Sequence, residues 1–326
     1  MVNRLSAASC ALLATVILSG CSSGDEPAKY VEYTLQGAYS ATLSPQSKYA
    51  TIGSFNHGGS LWNVAQHERL YNWNHRAGEY SLIAASAFSP DELYAATANQ
   101  QDLVLWNLSS GKPEGFWSSP AEILAMDLSP NGDYALLGLA DHTAVYFDVK
   151  RGGIKQTFRH SARVKSVDLS EDALLALTGD DDYNAQLWDV QSNKVIHSVK
   201  LGNIVDTVAL SPNKQLAFSS GSLDRALIWN TLDGKIRHTL SDNRDLFGRR
   251  LSFLSARFSP DSSQLLTGTA SGTVQLWSTS TGDLLRSWEI HKRDPYGPTS
   301  TGVYSVGFGN GVYYAIGSNG IINELK

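Results

Sequence analysis

Cysteine is almost absent from this chain: Cys10 and Cys21 are the only two among 326 residues. Cys10 lies in an apolar N-terminal stretch typical of an export signal, which leaves Cys21 as the single cysteine of the predicted mature protein. One cysteine cannot form an intramolecular disulfide. A disulfide-stapled fold is therefore excluded, and Cys21 is left for another purpose.

Long hydrophobic runs are lacking too. The stretch "ALLATVIL" is too short to span a bilayer; it follows Arg4 and leads into "LSGC" (18–21). This arrangement resembles a bacterial lipobox, in which the signal is cut before the cysteine and the thiol is acylated. The resemblance implies a signal peptide over residues 1–20, lipid attachment at Cys21 and a flexible tether over 21–29. The alternative is an ordinary signal peptide with an incidental cysteine.

Positive charge is not in excess either. Removal of the signal removes Arg4 from the 26 basic residues, so 25 basic and 31 acidic residues remain and the net charge is −6. A negative, exported chain is not expected to bind nucleic acid. Ser22 follows the cysteine, where an aspartate would resemble an inner-membrane retention signal in enterobacterial-type lipoproteins. Serine therefore predicts a lipid anchor in the bacterial outer membrane, on its periplasmic face.

Catalytic and metal-binding motifs are missing as well. The sequence has no Gly-x-Ser-x-Gly elbow, no His-Glu-x-x-His pattern, no phosphate-binding loop and no cysteine pair for a metal. The run "GDDDYN" (179–184) offers three carboxylates, but it lacks the central glycine and the terminal glutamate of a calcium loop. We therefore expect no catalytic residues, no cofactor and no metal.

What the chain does have is a repeated unit. Six segments of the type "LVLWNL" carry an aromatic residue, and 17 or 18 residues before it each has a serine that ends an apolar stretch. The aromatic residues are Trp62, Trp106, Phe147, Trp188, Trp229 and Trp277, and the serines are Ser44, Ser89, Ser129, Ser170, Ser211 and Ser259. A seventh, degraded copy ends the chain. Evenly spaced turn signals and the lack of 3.6-residue periodicity predict four short strands in each unit.

These units of about 41 residues, most of which end in Trp-Asn or Trp-Asp, resemble the WD-repeat β-propellers. The resemblance implies an all-β fold over residues 30–326, with seven four-stranded antiparallel blades in a ring. It also implies a hydrogen-bonded structural tetrad within a blade, which the fourth unit supplies as His160, Thr178, Asp182 and Trp188. The other units lack parts of this set, so packing is expected to hold their blades.

The N-terminal segment is a lone strand, and the last unit lacks a fourth strand. The seventh unit stops at "IINELK", its third strand, and has no fourth. "YVEYTL", which begins at Tyr30, is a lone strand with two open edges, and open edges are prone to aggregation. Pairing along Ile321–Leu325 would remove these edges. We therefore predict that the N-terminal strand completes the last blade and closes the ring.

Three connections between units are longer than the others, by four, seven and nine residues. The family resemblance places them on one face of the ring, with the turns between second and third strands. Arginines and aromatic residues, which are typical of binding hot spots, are concentrated there. The candidate partner-binding residues are Trp73, Arg76, Tyr80, Arg244, Phe247, Arg249, Arg250, Lys292, Arg293 and Tyr296. The alternative is that these loops are simply solvated.

Together these features favour a membrane-anchored periplasmic lipoprotein that acts as a non-enzymatic scaffold for one or more envelope proteins. The alternative is a small-ligand-binding or enzymatic propeller, because fold alone does not specify function. Convergent histidines and carboxylates on the channel wall would favour this alternative. For the scaffold, we expect charge reversal at Arg249, Arg250 and Arg293 to abolish partner binding without affecting folding, with Lys48 and Lys214 as controls on the opposite face.

Overall fold

The computed structural model describes residues 24–241, 251–294 and 301–326. Within these ranges, 28 strands form seven four-stranded antiparallel sheets. The seven-bladed β-propeller predicted from the sequence is thus confirmed. Each sheet is one blade, and its strands are called a, b, c and d from the central channel to the outer rim.

The strands have the following bounds. Strand β1 (Lys29–Glu32) precedes the first blade. The inner strands a are β2 (Ala38–Leu43), β6 (Ala85–Phe88), β10 (Ile123–Leu128), β14 (Val164–Leu169), β18 (Val205–Leu210), β22 (Phe253–Phe258) and β26 (Val303–Phe308). Strands b are β3 (Tyr49–Ser54), β7 (Tyr94–Asn99), β11 (Tyr134–Leu139), β15 (Leu175–Asp180), β19 (Leu216–Gly221), β23 (Gln264–Thr269) and β27 (Tyr313–Gly317).

Strands c and d complete the blades. Strands c are β4 (Gly58–Asn63), β8 (Asp102–Asn107), β12 (Thr143–Asp148), β16 (Asn184–Asp189), β20 (Ala226–Asn230), β24 (Thr273–Ser278) and β28 (Ile321–Leu325). The outer strands d are β5 (Glu68–Asn72), β9 (Pro113–Ser118), β13 (Ile154–Arg159), β17 (Lys194–Lys200), β21 (Ile236–Leu240) and β25 (Leu284–Glu289). A single 3-10 turn, Pro130–Gly132, interrupts the described β structure. No helix in these ranges has the length and hydropathy needed to cross a membrane.

The alternating strand directions give the ring two different faces. The b–c turns and the d–a connections lie on one face, which we call the loop face. The a–b and c–d turns lie on the other, which we call the turn face. Asn74, in the long connection after β5, accepts a hydrogen bond from the N–H of Gly59 at 3.2 Å. This contact holds the connection against the b–c turn of blade 1.

The repeated serine closes the a–b turn. In blade 1 the hydroxyl oxygen of Ser44 accepts the backbone N–H of Tyr49 at 3.0 Å, five residues along the chain. The equivalent serines of blades 2 to 6 make the same bond. Ser170 keeps this bond although no proline follows it. The hydroxyl is therefore the feature that blades 1 to 6 share, and the proline only favours the turn conformation.

The hydrophobic core lies between neighbouring blades. Each buried apolar cluster contains residues from adjacent sheets, as where Leu103 and Leu105 of blade 2 meet Met126 and Leu137 of blade 3. Blades that bury their faces only against one another make the stability of each dependent on the next. A closed ring is therefore needed if no face is to stay exposed.

The N-terminal strand closes the ring as predicted. Strand β1 pairs antiparallel with β28, with Lys29 opposite Glu324 and Glu32 opposite Ile321. Immediately after β1, the ring of Tyr33 stacks on Trp62 of blade 1, with ring centroids 4.3 Å apart. The closing segment thus joins the last blade to the first by main-chain hydrogen bonds and by aromatic packing.

Residues 24–28, predicted to belong to a flexible tether, are instead bound to the ring. The N–H of Asp25 donates to the carbonyl of Ser287 at 2.8 Å, and the N–H of Ala28 donates to that of Glu324 at 2.8 Å. The tether prediction is wrong for this segment, because the edges of β25 and β28 accept its main-chain hydrogen bonds. Cys21 and the predicted signal peptide lie outside the described residues.

Candidate protein-binding face

A bulge in six of the seven inner strands shapes the loop-face mouth of the channel. In each of these strands, one residue is left unpaired between two residues that pair with strand b. The bulged residues stand five positions before the serine or glycine that follows strand a: Tyr39, Leu124, Lys165, Asp206, Leu254 and Tyr304. Blade 2 has regular pairing. The bulges therefore direct these six side chains to the loop-face end of the channel.

Blades 6, 7 and 1 contribute an apolar arc to this mouth, formed by Tyr39, Phe55, Leu254 and Tyr304. Tyr39 and Leu254 are 44% and 36% exposed, and Phe55, in the b–c turn after β3, is 56% exposed. The rings of Tyr39 and Phe55 meet edge to face with centroids 5.8 Å apart. Burial, and then the neighbouring Tyr39 hydroxyl, raises the pKa of Tyr304. The arc is an accessible apolar surface beside an opening.

The opposite side of the mouth is charged. Lys165 of blade 4 and Asp206 of blade 5 form an ion pair at 3.5 Å. The mouth therefore has an aromatic side and a polar side. Protein interfaces use both apolar, aromatic groups and polar groups, and the mouth offers both kinds.

The turn-face end of the channel, which we call the neck, carries a different set of side chains. These side chains are Asp127, Asp168 and Arg257, on blades 3, 4 and 6. Each stands two positions before the serine that follows strand a of its blade. The guanidinium of Arg257 donates to the carbonyl oxygens of Leu43 at 2.8 Å and Ser44 at 2.6 Å. Arg257 thus ties blade 6 to blade 1 across the neck.

The two carboxylates of the neck also join neighbouring blades. Asp127 accepts the backbone N–H groups of Leu128 at 2.9 Å and Leu169 at 2.8 Å, and Asp168 accepts that of Leu210. The two carboxyl groups lie within hydrogen-bonding reach of each other. Burial raises the pKa of Asp127 to about 6, and burial together with the Asp127 charge raises the pKa of Asp168 well above its ordinary value.

The channel wall therefore holds two convergent carboxylates, which is part of what the ligand-binding alternative requires. Both are already bound to backbone amides of adjacent blades. Across the three described ranges, no three His, Cys, Asp or Glu side chains gather around one point as a metal ion would need. The geometry of the pair fits a role in joining blades.

Trp73, a predicted partner-binding residue, lies in the core. Its side chain is fully buried and stacks on Trp106 with ring centroids 5.1 Å apart. Its indole N–H donates to the carbonyl of Gly111 at 3.1 Å. The prediction is wrong for this residue, because the connection starts by filling the gap between blades 1 and 2 before it reaches the surface.

Arg76 and Tyr80 lie on the loop face, as predicted. The side chain of Arg76 is 70% exposed and lies 3.9 Å from Glu79, and Tyr80 is 73% exposed. They line an open, polar groove of about 510 Å³ that also includes Asp102 and Glu122. Both residues are accessible to a partner, but they stand apart from the apolar arc.

Arg293 has a structural role that the sequence did not reveal. Its guanidinium donates to the carbonyls of Thr34 and Leu35 and pairs with Glu32 at the end of β1. The expectation that its reversal would leave folding unaffected is therefore wrong. Lys292, the neighbouring candidate, is partly exposed and lies 4.0 Å from Glu289.

The intended controls on the turn face are engaged too. Lys48 pairs with Glu92 of the next blade at 3.5 Å, and Lys214 pairs with Asp172 of the preceding blade. Reversal of either charge would break a contact between blades, so neither is a neutral control. The remaining candidates lie outside the described residues and stay predictions: Arg244, Phe247, Arg249, Arg250 and Tyr296.

The predicted tetrad of blade 4 needs one correction. The indole N–H of Trp188 donates to the hydroxyl of Thr178 at 2.9 Å, in agreement with the prediction. His160, however, bonds through Nδ1 to the carboxylate of Asp180 at 3.0 Å and not to Asp182. Asp180 ends β15 and is buried beneath the histidine. The side chain of Asp182 is 51% exposed in the following turn, which places it beyond the core of the blade.

Blade 2 contains a related set that sequence reasoning missed. His75 Nε2 lies 2.9 Å from the hydroxyl of Thr97, which accepts the indole N–H of Trp106 at 2.8 Å. Burial lowers the pKa of His75 to about 4, so the ring is neutral at physiological pH. The long connection before blade 2 shifts this histidine from the repeat spacing and so hides it.

Comparison with known proteins agrees with this architecture. Residues 152–189 and 244–278 match the WD40 family, described as WD domain, G-beta repeat. The first segment contains the blade 4 tryptophan, Trp188, and the second contains that of blade 6, Trp277. No curated protein matches the chain. The two matches and the seven-bladed ring together support a WD-repeat β-propeller.

Proposed function

We propose that this protein is a non-enzymatic scaffold that binds another protein at the loop-face mouth of its channel. The observation that carries the proposal is the bulged apolar arc of Tyr39, Leu254 and Tyr304, extended by Phe55. The WD40 match supports it, because WD40 propellers commonly bind other proteins. Strained or irregular backbone that presents apolar groups at an opening is typical of a binding site.

The proposal includes a place in the cell envelope. The lipobox-like "LSGC" and the serine that follows it support a lipid anchor at Cys21 in the outer membrane, with an envelope protein as the partner. The Cys21→Ser variant is expected to stay unprocessed or to be released as a soluble protein. Membrane association of a correctly cleaved Cys21→Ser protein would contradict the anchor.

Site-specific photo-crosslinking in intact cells tests the binding face. A photoreactive amino acid at position 55, on the loop face, is expected to capture one discrete envelope protein. The matched control is position 116, where Phe116 is 51% exposed on the rim, close to the 56% of Phe55. Capture of the same protein from position 116 and not from position 55 would move the binding site to the rim.

A substitution at the arc gives a second test. Phe55→Asp places a charge in the apolar arc without removing a buried side chain, so capture from a probe at Tyr39 is expected to fall strongly while the ring stays folded. Phe116→Asp is the control and is expected to leave capture unchanged. Equal capture by both variants would show that the arc does not carry the interaction.

A further inference from the structure

The segment that precedes β1 is fixed to the outer edge of blade 6. The N–H of Asp25 donates to the carbonyl of Ser287, and its carbonyl accepts the N–H of Glu289 at 2.9 Å. The carboxylate of Asp25 pairs with Arg286 at 3.0 Å. At Gly24 a Cβ atom would lie 2.8 Å from the Cα of Trp288, so the close approach of the two backbones requires glycine.

The direction of this segment shows where the preceding chain comes from. Asp25 bridges to Trp288 in parallel orientation, so both strands run from the turn face towards the loop face. The described chain therefore begins beside Ser287 and Trp288 and runs parallel to β25. Cys21 is three residues before Gly24, a distance of at most about 10 Å in a fully extended chain.

We propose that the rim of blade 6, at the beginning of β25, is the surface that rests on the lipid bilayer. This proposal rests on the lipid anchor at Cys21 put forward under the proposed function. An acyl chain on Cys21 is attached at most about 10 Å from Gly24, which lies against Ser287 and Trp288 of β25, and this leaves too little free chain for the propeller to turn another rim towards the membrane.

The composition of this rim is compatible with a bilayer interface. Leu285 is 51% exposed, and on the neighbouring outer strand Ile236 is 49% exposed. Arg237 and Arg286 line the groove between these two strands. Long basic side chains beside apolar groups can keep their charges among lipid headgroups while the apolar groups enter the boundary.

The position on the ring has a consequence for the binding face. A blade whose rim touches the bilayer holds the channel axis roughly along the membrane plane. The mouth with Tyr39 and Phe55 then opens to the side, and the membrane does not cover it. A partner embedded in or attached to the same membrane can reach the loop face from there.

Fluorescence quenching by labelled lipid headgroups tests this orientation. Cys21 is the only cysteine of the processed chain and its thiol carries the lipid, so Leu285→Cys supplies a unique thiol for a fluorophore. The full protein, processed in cells, is reconstituted in vesicles of phosphatidylethanolamine and phosphatidylglycerol. Ile154→Cys is the matched control, because Ile154 is 45% exposed at the beginning of β13 on the opposite side of the ring.

Quenching at position 285 is expected to exceed that at position 154 about threefold or more, because the interface layer is only some 5–10 Å deep. Equal quenching, or stronger quenching at position 154, in protein that is bound to vesicles would overturn the rim assignment and leave the anchor intact. Processed protein that does not bind vesicles would overturn the anchor and the rim assignment together.

A variant of the fixed segment separates attachment from orientation. Gly24→Val introduces a side chain where the backbone of β25 leaves no space, so it is expected to release the segment. Vesicle binding should persist while the difference between positions 285 and 154 disappears. Ala28→Val, at an exposed side chain, is the control and should keep the difference. Persistence of the difference in Gly24→Val would overturn the claim that the segment sets the orientation.

Discussion

The two faces of the ring are built from the same repeat but use their side chains in opposite ways. On the turn face, polar side chains bind the neighbouring blade: Glu92 accepts the N–H of Gln46 at 2.8 Å, and Asp91 accepts that of Asn131 at 2.6 Å. On the loop face, aromatic side chains such as Phe55 are left exposed, whereas the large apolar side chains exposed on the turn face are leucines: Leu93, Leu174 and Leu232. The turn face uses its polar groups to join blades, and the loop face presents aromatic groups to a partner.

The channel shows the same difference over one strand. On β22, Leu254 is bulged outwards at the mouth, and Arg257, three residues later, binds backbone carbonyls at the neck. A binding surface and a structural tie can therefore share one strand, because the bulge separates them. Substitutions in the two regions should then have separable effects on stability and on binding.

The largest effect is expected where the N-terminal segment closes the ring, because both faces depend on this closure. Deletion of residues 24–36 removes β1, the stacking of Tyr33 on Trp62 and the Glu32–Arg293 pair. We expect a loss of more than about 5 kcal/mol, enough to unfold most domains of ordinary stability. Thermal unfolding followed by circular dichroism measures this loss. An unchanged melting temperature would show that closure does not make the ring cooperative.

At the neck, Arg257→Leu should reduce the free energy of unfolding by about 2–4 kcal/mol. It removes the guanidinium that donates to the carbonyls of Leu43 and Ser44, of which that of Ser44 keeps only the N–H of Ser47, and it removes the positive charge beside Asp127 and Asp168. Urea unfolding provides the measurement. Leu254→Ala, on the same strand, is the control with an expected loss below about 1 kcal/mol. Similar losses of unfolding free energy in Arg257→Leu and Leu254→Ala would contradict the proposed difference between neck and mouth.

The sequence predicted the ring because its turn chemistry and strand-c tryptophans repeat at constant spacing. Ser44 and its equivalents have a local role, and local roles leave a periodic signal. The pairing of β1 with β28 could also be predicted, because a missing strand and a lone strand were both visible in the chain.

The site was less predictable, since its properties depend on neighbours that are distant in sequence. Trp73 is in one of the long connections yet packs against Trp106, and Arg293 is in another yet binds the end of β1. The bulged mouth residues did have a periodic signal, their position five residues before the serine or glycine that follows strand a. That signal identifies a position only, and the bulge that exposes Tyr39 comes from the pairing register.

The carboxyl pair of the neck predicts an unusual pH dependence. Because the folded-state pKa of Asp127 is raised to about 6 and that of Asp168 is also raised, the folded protein binds more protons than the unfolded chain. This contribution to stability is present at pH 4 and is lost as the pH rises through about 6. Unfolding free energies measured between pH 4 and pH 8 test the direction.

The variant Asp168→Asn should reduce this loss, because it removes the Asp168 carboxyl while burial still raises the pKa of Asp127. Its carbonyl can still accept the N–H of Leu210, and its amide can donate to Asp127. We expect about 1–2 kcal/mol more stability than wild type at pH 7.5 and little difference at pH 4. Asp172→Asn is a control of opposite sign, because the pKa of Asp172 is lowered by hydrogen bonds and by Lys214. An unchanged wild-type slope in Asp168→Asn would contradict the assignment of this pH dependence to the carboxyl pair.

The smallest effect on stability is expected at the mouth. Phe55→Ala removes a ring that is 56% exposed, and it should change the free energy of unfolding by less than about 0.5 kcal/mol. The turn-face counterpart is Glu92→Gln, which weakens the pair with Lys48 and should reduce stability by about 1 kcal/mol.

Denaturant unfolding of both variants, with partner capture measured in parallel, tests whether the two faces have separate roles. If Phe55→Ala lowers capture without lowering stability while Glu92→Gln does the reverse, folding and binding are assigned to opposite faces. If both variants lower both quantities, the faces are coupled through the blades, and exposed aromatic residues at the mouth contribute to the fold as well.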